Sequence, residues 1–246
     1  AKLGQGMRHT LLIAADEWRY WFRSYLAIGG IALFAALLIV TSWLTALQMS
    51  SENHTREHHQ EISEKTFLSQ PDRHPHRMVH YGHYVFRTPA PLAIFDPGLD
   101  PVTGQSIFLE GHRQNSATFA ESAASADIGG LSWLTPALIY QLFGPLLIIV
   151  VGHGTIIRER EARVLSPLLA LGIKGQTLVF GKALALTLFI TLMLVPMLVS
   201  SAVAFANGES FTILLSMLGG YFGYLTIWVL ATLLASLVFK KRAEIL

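Results

Sequence analysis

The chain has 246 residues, is 52% hydrophobic and only 14% charged, and carries a formal net charge of +2 with no cysteine. Soluble domains run to about 25% charged residues, so this composition argues against an ordinary soluble enzyme. It also excludes a disulfide framework or a thiolate metal site. The small net charge, with no basic stripe interleaved with aromatics, gives no footing for nucleic-acid binding.

The deficit of charge is concentrated. Residues 25–47, 133–151, 184–206 and 211–239 contain no Asp, Glu, Lys or Arg. About 20 apolar residues cross a hydrocarbon core of about 30 Å as a helix, and in lipid such runs must satisfy their own backbone groups. The expectation is an all-α membrane protein with at least four transmembrane helices. The first run starts too late and is too long for a cleavable signal peptide, so it is expected to remain as a span.

Residues 1–24 precede the first span. Leu11, Leu12, Ala15, Trp18 and Phe22 recur at helical spacing, with Arg8, Asp16, Glu17, Arg19 and Arg23 between them. Trp18, Tyr20, Trp21, Phe22 and Tyr25 cluster at what should be headgroup depth. The pattern predicts an interfacial amphipathic helix; the alternative is a plain extension of span one.

Residues 48–132 form the long loop between spans one and two. Up to Arg77 it is polar and His-rich, either a helical extension of span one or an unstructured segment. Aromatic and β-branched residues follow, punctuated by turn signals at Asp96-Pro97-Gly98 and Asp100–Gly104, with a strand expected over 105–109. This predicts a small irregular α/β subdomain, then a small-residue, flexible lead at Ser122–Gly130. The loop holds eight of the ten histidines: His54, His58, His59, His74, His76, His80, His83 and His112. Imidazole is a common metal ligand, and the pairs His54/His58 and His76/His80 have i,i+4 spacing. No HExxH or Cys-bearing pattern accompanies them. A solvated segment is the default reading and no metal site is assigned; metal handling and a pH-responsive loop stay open.

Pro136 and Pro145 in span two and Pro196 in span three are read as tolerated kinks or hinges. Ser216, Gly219, Gly220 and Gly223 in span four make a small-residue face that permits close helix approach. Residues 207–210 are a short turn. No acid–base pair, carboxylate cluster or Ser–His arrangement appears in the spans. That argues against a secondary transporter and against an intramembrane protease, and no catalytic residue is assigned.

Residues 152–183 separate spans two and three. Arg158, Glu159, Arg160, Glu161 and Arg163 make a charged start, and Val164, Leu165, Leu168, Leu169 and Leu171 follow at helical spacing. A short helix with a charged edge and an apolar knob suits a groove in a partner protein. The candidate docking residues are Glu159, Glu161, Arg163, Leu165, Leu168 and Leu169. Gly175–Lys182 evokes a phosphate loop, but the spacing is one residue too long and Ala183 stands where Ser or Thr would hold Mg²⁺. Any ATP dependence must therefore come from a partner.

Twelve of the 18 basic residues lie in residues 1–24, 152–183 and 240–246, while the other side carries 11 of the 16 acids. Basic residues in short loops mark the cytoplasmic side. Both termini and loop 152–183 are expected in the cytoplasm, and 48–132 and 207–210 outside, in the cell (inner) membrane.

The segment 158–182 resembles the cytoplasmic coupling region of permease subunits of type-2 ABC transport systems. Those carry a Glu-rich start, a Gly-Thr-Leu-like step, a Leu-Leu run, a turn and a Gly-Lys before the third span. Here Glu159 and Glu161, Val164-Leu165, Leu168-Leu169 and Gly181-Lys182 stand at matching places, with Ala162-Arg163-Val164 replacing the usual Gly-Thr step. The N-terminal amphipathic helix fits too, and His80–Asn115 resembles a subgroup with a large first outer loop and no assigned substrate. The resemblance implies the permease of an ATP-driven exporter with no cofactor of its own. It implies two copies of a cytosolic P-loop ATPase holding ATP and Mg²⁺, and a second permease copy or paralogue. The family usually has six spans, and Lys240–Glu244 reads like an inner loop before a fifth. The competing reading is a membrane-anchored metal-binding or assembly factor acting through the His-rich outer loop.

Overall fold

The structure, a computed structural model, describes residues 2–104, 106–112, 117–118 and 134–239. The lead expected to be flexible at 122–130, the start of span two at 133 and the tail 240–246 lie outside the described residues.

Helix α1 (Lys2–Arg23) is followed at once by α2 (Leu26–Leu68). The chain turns between them at Tyr25, which has φ 56°, and Ser24 Oγ caps the end of α1 by donating to Trp21 O at 3.0 Å. α2 runs for 43 residues, so the polar stretch after residue 47 is a helical extension as far as Leu68. Ion-pair spacing explains its persistence once the apolar residues end. Lys65 pairs with Glu61 at 2.5 Å and Gln60 bonds Glu64 at 3.0 Å, each one turn away.

A small subdomain follows. α3 (Pro75–Met78) is N-capped by the His74 side chain, which accepts from the His76 N–H. Strand β1 (His83–Phe86), a 3-10 turn (Pro91–Ile94), α4 (Asp100–Thr103), β2 (Ser106–Leu109) and β3 (Ala117–Thr118) come next. The strands pair antiparallel in the order β1-β2-β3, with His83 opposite Leu109, Phe86 opposite Ser106 and Ser106 opposite Thr118. The first turn signal is a turn, and the second folds as the single helical turn α4, closed by glycine. The Asp96 side chain accepts from the Gly98 N–H at 2.9 Å, and Gly104, at φ 71°, ends α4. Phe95 and Ala93 are buried.

The remaining helices are α5 (Pro136–Gly152), α6 (Ile157–Glu161), α7 (Leu165–Ala170), α8 (Gly175–Met193), α9 (Val195–Ala206) and α10 (Phe211–Val238). Among the described residues four helical stretches are long and apolar enough to cross a membrane: Leu26–Leu68, Pro136–Glu161, Gly175–Ala206 and Phe211–Val238. The third begins at Gly175, so the last nine residues assigned to loop 152–183 are already helix. It also breaks at Leu194, between α8 and α9, two residues before Pro196, which has no N–H to continue a helical ladder. The freed Met193 carbonyl accepts from Tyr140 Oη of α5 at 2.7 Å, the kind of neighbouring donor that makes proline tolerable in lipid.

By their contacts the residues fall into two units, Ala1–Leu38 with Leu138–Ser201 and Ser210–Leu246, and Ile39–Ala137 with Ala202–Glu209. The first is helical: α1 packs along α8, and α8 along α10, around Ile148, Leu186, Phe189, Ile190 and Leu225. Gly144 and Gly152 sit where helices cross; a Cβ would stand 3.0 Å from Leu225 and 2.9 Å from Thr232. A Cβ added at Gly219, Gly220 or Gly223 would meet nothing within 4 Å outside its own helix, so the small-residue face expected to pack is open in the single chain. The second unit holds the sheet and the far end of α2. A cavity of about 240 Å³ lies between them, lined by apolar and aromatic groups including Phe67, Tyr81, Tyr84 and Phe108.

Candidate functional site

The site begins with a close approach. Gly181, in the second turn of α8, lies against α1: a Cβ there would stand 2.6 Å from Ile13 Cγ2 and 3.0 Å from the Thr10 carbonyl. Without a side chain at 181 the two helices can touch. Trp18 Nε1 donates to the Ala185 carbonyl at 3.2 Å, and the Trp21 ring meets Phe189 with centroids 5.8 Å apart. α1 is thereby fixed along the first turns of α8.

That contact buries charge. Glu17 of α1 is 0% exposed and Lys182 of α8 is 1% exposed. Lys182 Nζ donates to Glu17 Oε1 and also to Glu159 Oε1 of α6. Arg158 Nη2 donates to the same Glu17 oxygen at 2.5 Å and lies 3.4 Å from Glu159. The Arg158 guanidinium also sits over the Tyr20 ring, 3.7 Å from its centroid, a cation–π contact that holds it against α1. Two acids and two bases thus close a neutral cluster joining α1, α6 and α8. Its second oxygens, Glu17 Oε2 and Glu159 Oε2, are buried with no hydrogen-bond partner. Burial raises the Glu17 carboxyl above the ordinary carboxylate range, against the opposing pull first of Lys182 and then of Arg158. Removing one member of such a set is far more damaging than leaving the set whole.

The same short helix is also fastened to α10. Arg160 donates to the Phe239 carbonyl at 2.9 Å and to Leu237 at 3.2 Å, covering the carbonyl end of that helix. Ser236 Oγ accepts from the Ile156 and Ile157 N–H groups at 3.1 and 3.3 Å, occupying the amide end of α6. α6 is therefore tied to the N-terminal helix, the third span and the fourth span at once.

α7 contrasts with it. The chain leaves α6 through Arg163, at φ 56°, and enters a six-residue helix with no buried residue. Of the six candidate docking residues, Glu161, Arg163 and Leu169 are exposed, Leu165 and Leu168 are half-buried, and Glu159 turns inward to Lys182. The charged start of this segment thus divides in function: Arg158, Glu159 and Arg160 anchor it, and the residues after them face outward.

Sequence reasoning missed the pairing of Glu17 with Lys182. Glu17 reads as part of the polar face of α1, and Lys182 as the last charged residue of the loop before span three. A signal was present: Ala14, Glu17 and Trp21, three and four residues apart, are all buried on one stripe of α1. A carboxylate on the buried stripe of a helix calls for a cation.

The histidine pairs behave differently from each other. His54 and His58 lie on α2, where the His58 ring neighbours His59 at 6.1 Å. His76 lies in α3 and His80 just past it, with ring centroids 5.3 Å apart. Among the described residues, no group of three or more His, Asp or Glu is arranged as it stands to hold a metal ion.

Long apolar helices, an N-terminal helix docked on them and a charged loop clamped between the second and third define a multi-pass membrane protein. The sequence profile described as ABC-2 family transporter protein matches residues 11–244, and the chain belongs to that family. It is accordingly a transporter permease, a membrane subunit without catalytic activity of its own. No curated protein and no solved structure matches it.

Proposed function

We propose that this chain is the permease of an ATP-driven exporter, coupled to a separate cytosolic P-loop ATPase through residues 158–175. In this reading 1–24, 152–183 and 240–246 lie in the cytoplasm of a cell (inner) membrane, and 48–132 and 207–210 lie outside. Two ATPase copies, which hold ATP and Mg²⁺, serve two permease copies or a permease and a paralogue. Export is the direction carried over from the resemblance to type-2 systems.

The observation that carries the reading is the contrast between α6 and α7. α7 has no buried residue, yet it is joined to a helix held by ion pairs and hydrogen bonds to α1, α8 and α10. A partner that grips α7 would displace α6, and α6 cannot move without α1 and two spans. ATP binding and release would shift the permease between two states according to the partner's differential affinity for them. Leu165, Leu168 and Leu169 offer the apolar knob, and Glu161 and Arg163 the charged rim.

The test removes the knob. Burying one Leu stabilises by about 1.5–3 kcal/mol, so losing two weakens assembly on the order of a hundredfold, since about 1.4 kcal/mol is tenfold. Leu165→Asp with Leu169→Asp should do more, because a carboxylate would enter the apolar groove. The double variant should reach the membrane at normal abundance, lose the ATPase on purification and lose coupled ATP hydrolysis. Retention of the ATPase at wild-type affinity would remove 158–175 as the coupling element.

A further inference from the structure

We propose that His76, His80 and His112 form a binding site for a borderline divalent transition-metal cation, with Zn²⁺ as the reference ion. Three imidazole rings meet there from two separate stretches of chain. Their centroids are 5.3 Å apart for His76–His80, 5.4 Å for His80–His112 and 6.0 Å for His76–His112. Zn–N bonds of about 2.0–2.1 Å in a tetrahedral site set the centroids of three ligating imidazoles roughly 5–5.5 Å apart. The rings already stand near that spacing.

As they stand, no three donor groups among the described residues converge on one point. The remedy is small. An imidazole centroid lies close to the Cβ–Cγ axis, and χ2 of histidine is a broad, roughly two-fold torsion. Turning the rings redirects their nitrogens and leaves the spacing nearly unchanged. The backbone is already held. Gly111 N–H donates to the Val79 carbonyl at 2.9 Å, fastening the stretch that carries His112 to the turn that carries His80. Gly111 permits that contact, since a Cβ there would stand 1.9 Å from Val79 Cγ1. His112 itself is left-handed, at φ 65°, a conformation uncommon for a residue other than glycine. All three side chains are exposed, so an aqueous ion can enter, and a water can fill the fourth position left by three protein ligands. Imidazole suits zinc, copper and nickel, whereas magnesium and calcium prefer oxygen.

The site does not depend on which side of the membrane the subdomain occupies, nor on the identity of the ATPase. The experiment uses the full chain without an affinity tag, stripped with chelator and titrated with Zn²⁺ while bound metal is measured directly. The wild type should take up one zinc per chain. His80→Gln and His112→Asn should each weaken binding about tenfold or more; asparagine is chosen because it tolerates the left-handed backbone at 112. A variant with His54, His58 and His59 all changed to Gln should bind as the wild type does. Calcium should not compete. If His112→Asn proves unstable, His76→Gln serves in its place, because it leaves the left-handed turn untouched. Absence of stoichiometric zinc in the wild type would overturn the proposal. So would a zinc that survives the His76, His80 and His112 changes, or one lost equally from the His54, His58 and His59 variant.

Discussion

Lys182, in the second turn of α8, donates to Glu17 of α1, 165 positions earlier in the chain, and neither side chain reaches solvent. This contact joins the N-terminal helix to the third span, and Arg158 and Glu159 bring the loop between spans two and three into the same cluster. Whatever moves that loop must move or break this set of charges.

Breaking one member of a buried ion pair costs about 3–5 kcal/mol, because it strands the other charge. Glu17→Gln and Lys182→Met should each fall toward the low end of that range, since Arg158 still reaches Glu17 and Glu159 still reaches Lys182. The double variant should be less destabilised than the sum of the two. Thermal unfolding of the four proteins in detergent measures the coupling. Additive losses would mean that the two residues do not interact.

The pH dependence has a definite sign. Burial raises the Glu17 carboxyl above its ordinary value, while Lys182 pulls it down. In Lys182→Met that pull is gone, so the native state binds the Glu17 proton more strongly than the unfolded chain does. The stability this proton supplies is fully present below the unfolded value of about 4.3 and is lost as pH rises through the raised folded value. The deficit of Lys182→Met relative to wild type should therefore be large at neutral pH and shrink toward pH 4. Melting curves across that range test it; a deficit that grows on acidification contradicts the burial of Glu17 as a carboxylate.

Gly181→Ala opposes two effects. Alanine is the better helix former by about 1 kcal/mol, but its Cβ would enter the space of Ile13 and the Thr10 carbonyl. Overpacking costs about 1–3 kcal/mol, and a backbone carbonyl cannot swing away as a side chain can. Net destabilisation is expected, with α1 loosened from α8. Gly29→Ala, where nothing lies within 4 Å of the added carbon, should be neutral or stabilising. Protease accessibility of α1, compared between the two variants, reports the difference.

The absence of cysteine permits a topology test by single-cysteine labelling. Ser166, in α7, is exposed, and Leu99 is 73% exposed, whereas Ser106 is only 3% exposed and a poor probe. Leu99→Cys should react with an impermeant reagent in intact cells, and Ser166→Cys only after permeabilisation. The reverse pattern would invert the proposed orientation.

The sequence by itself determined the membrane class. Four uncharged runs leave no other place for their apolar surface, and their lengths match a hydrocarbon core. It also determined the turns at Asp96–Gly98 and Gly104 and the short turn after Ala206, because aspartate, proline and glycine act on backbone within a few residues of themselves. The polar half of α2 stayed ambiguous, since its stability rests on pairs such as Lys65 with Glu61 that a disordered segment could equally contain. Only the tertiary structure decided the charged cluster. Glu17, Arg158 and Lys182 are each ordinary interfacial residues when read alone, and no local pattern relates positions 165 apart. Their meeting is set by the approach of α1 to α8 at Gly181 and by the clamp of Arg160 and Ser236 on α6 and α10. Likewise His112 joins His76 and His80 only because the Gly111–Val79 hydrogen bond closes a loop of some thirty residues. Periodicity reports which face of a helix is apolar; it carries no record of which distant side chain that face will meet.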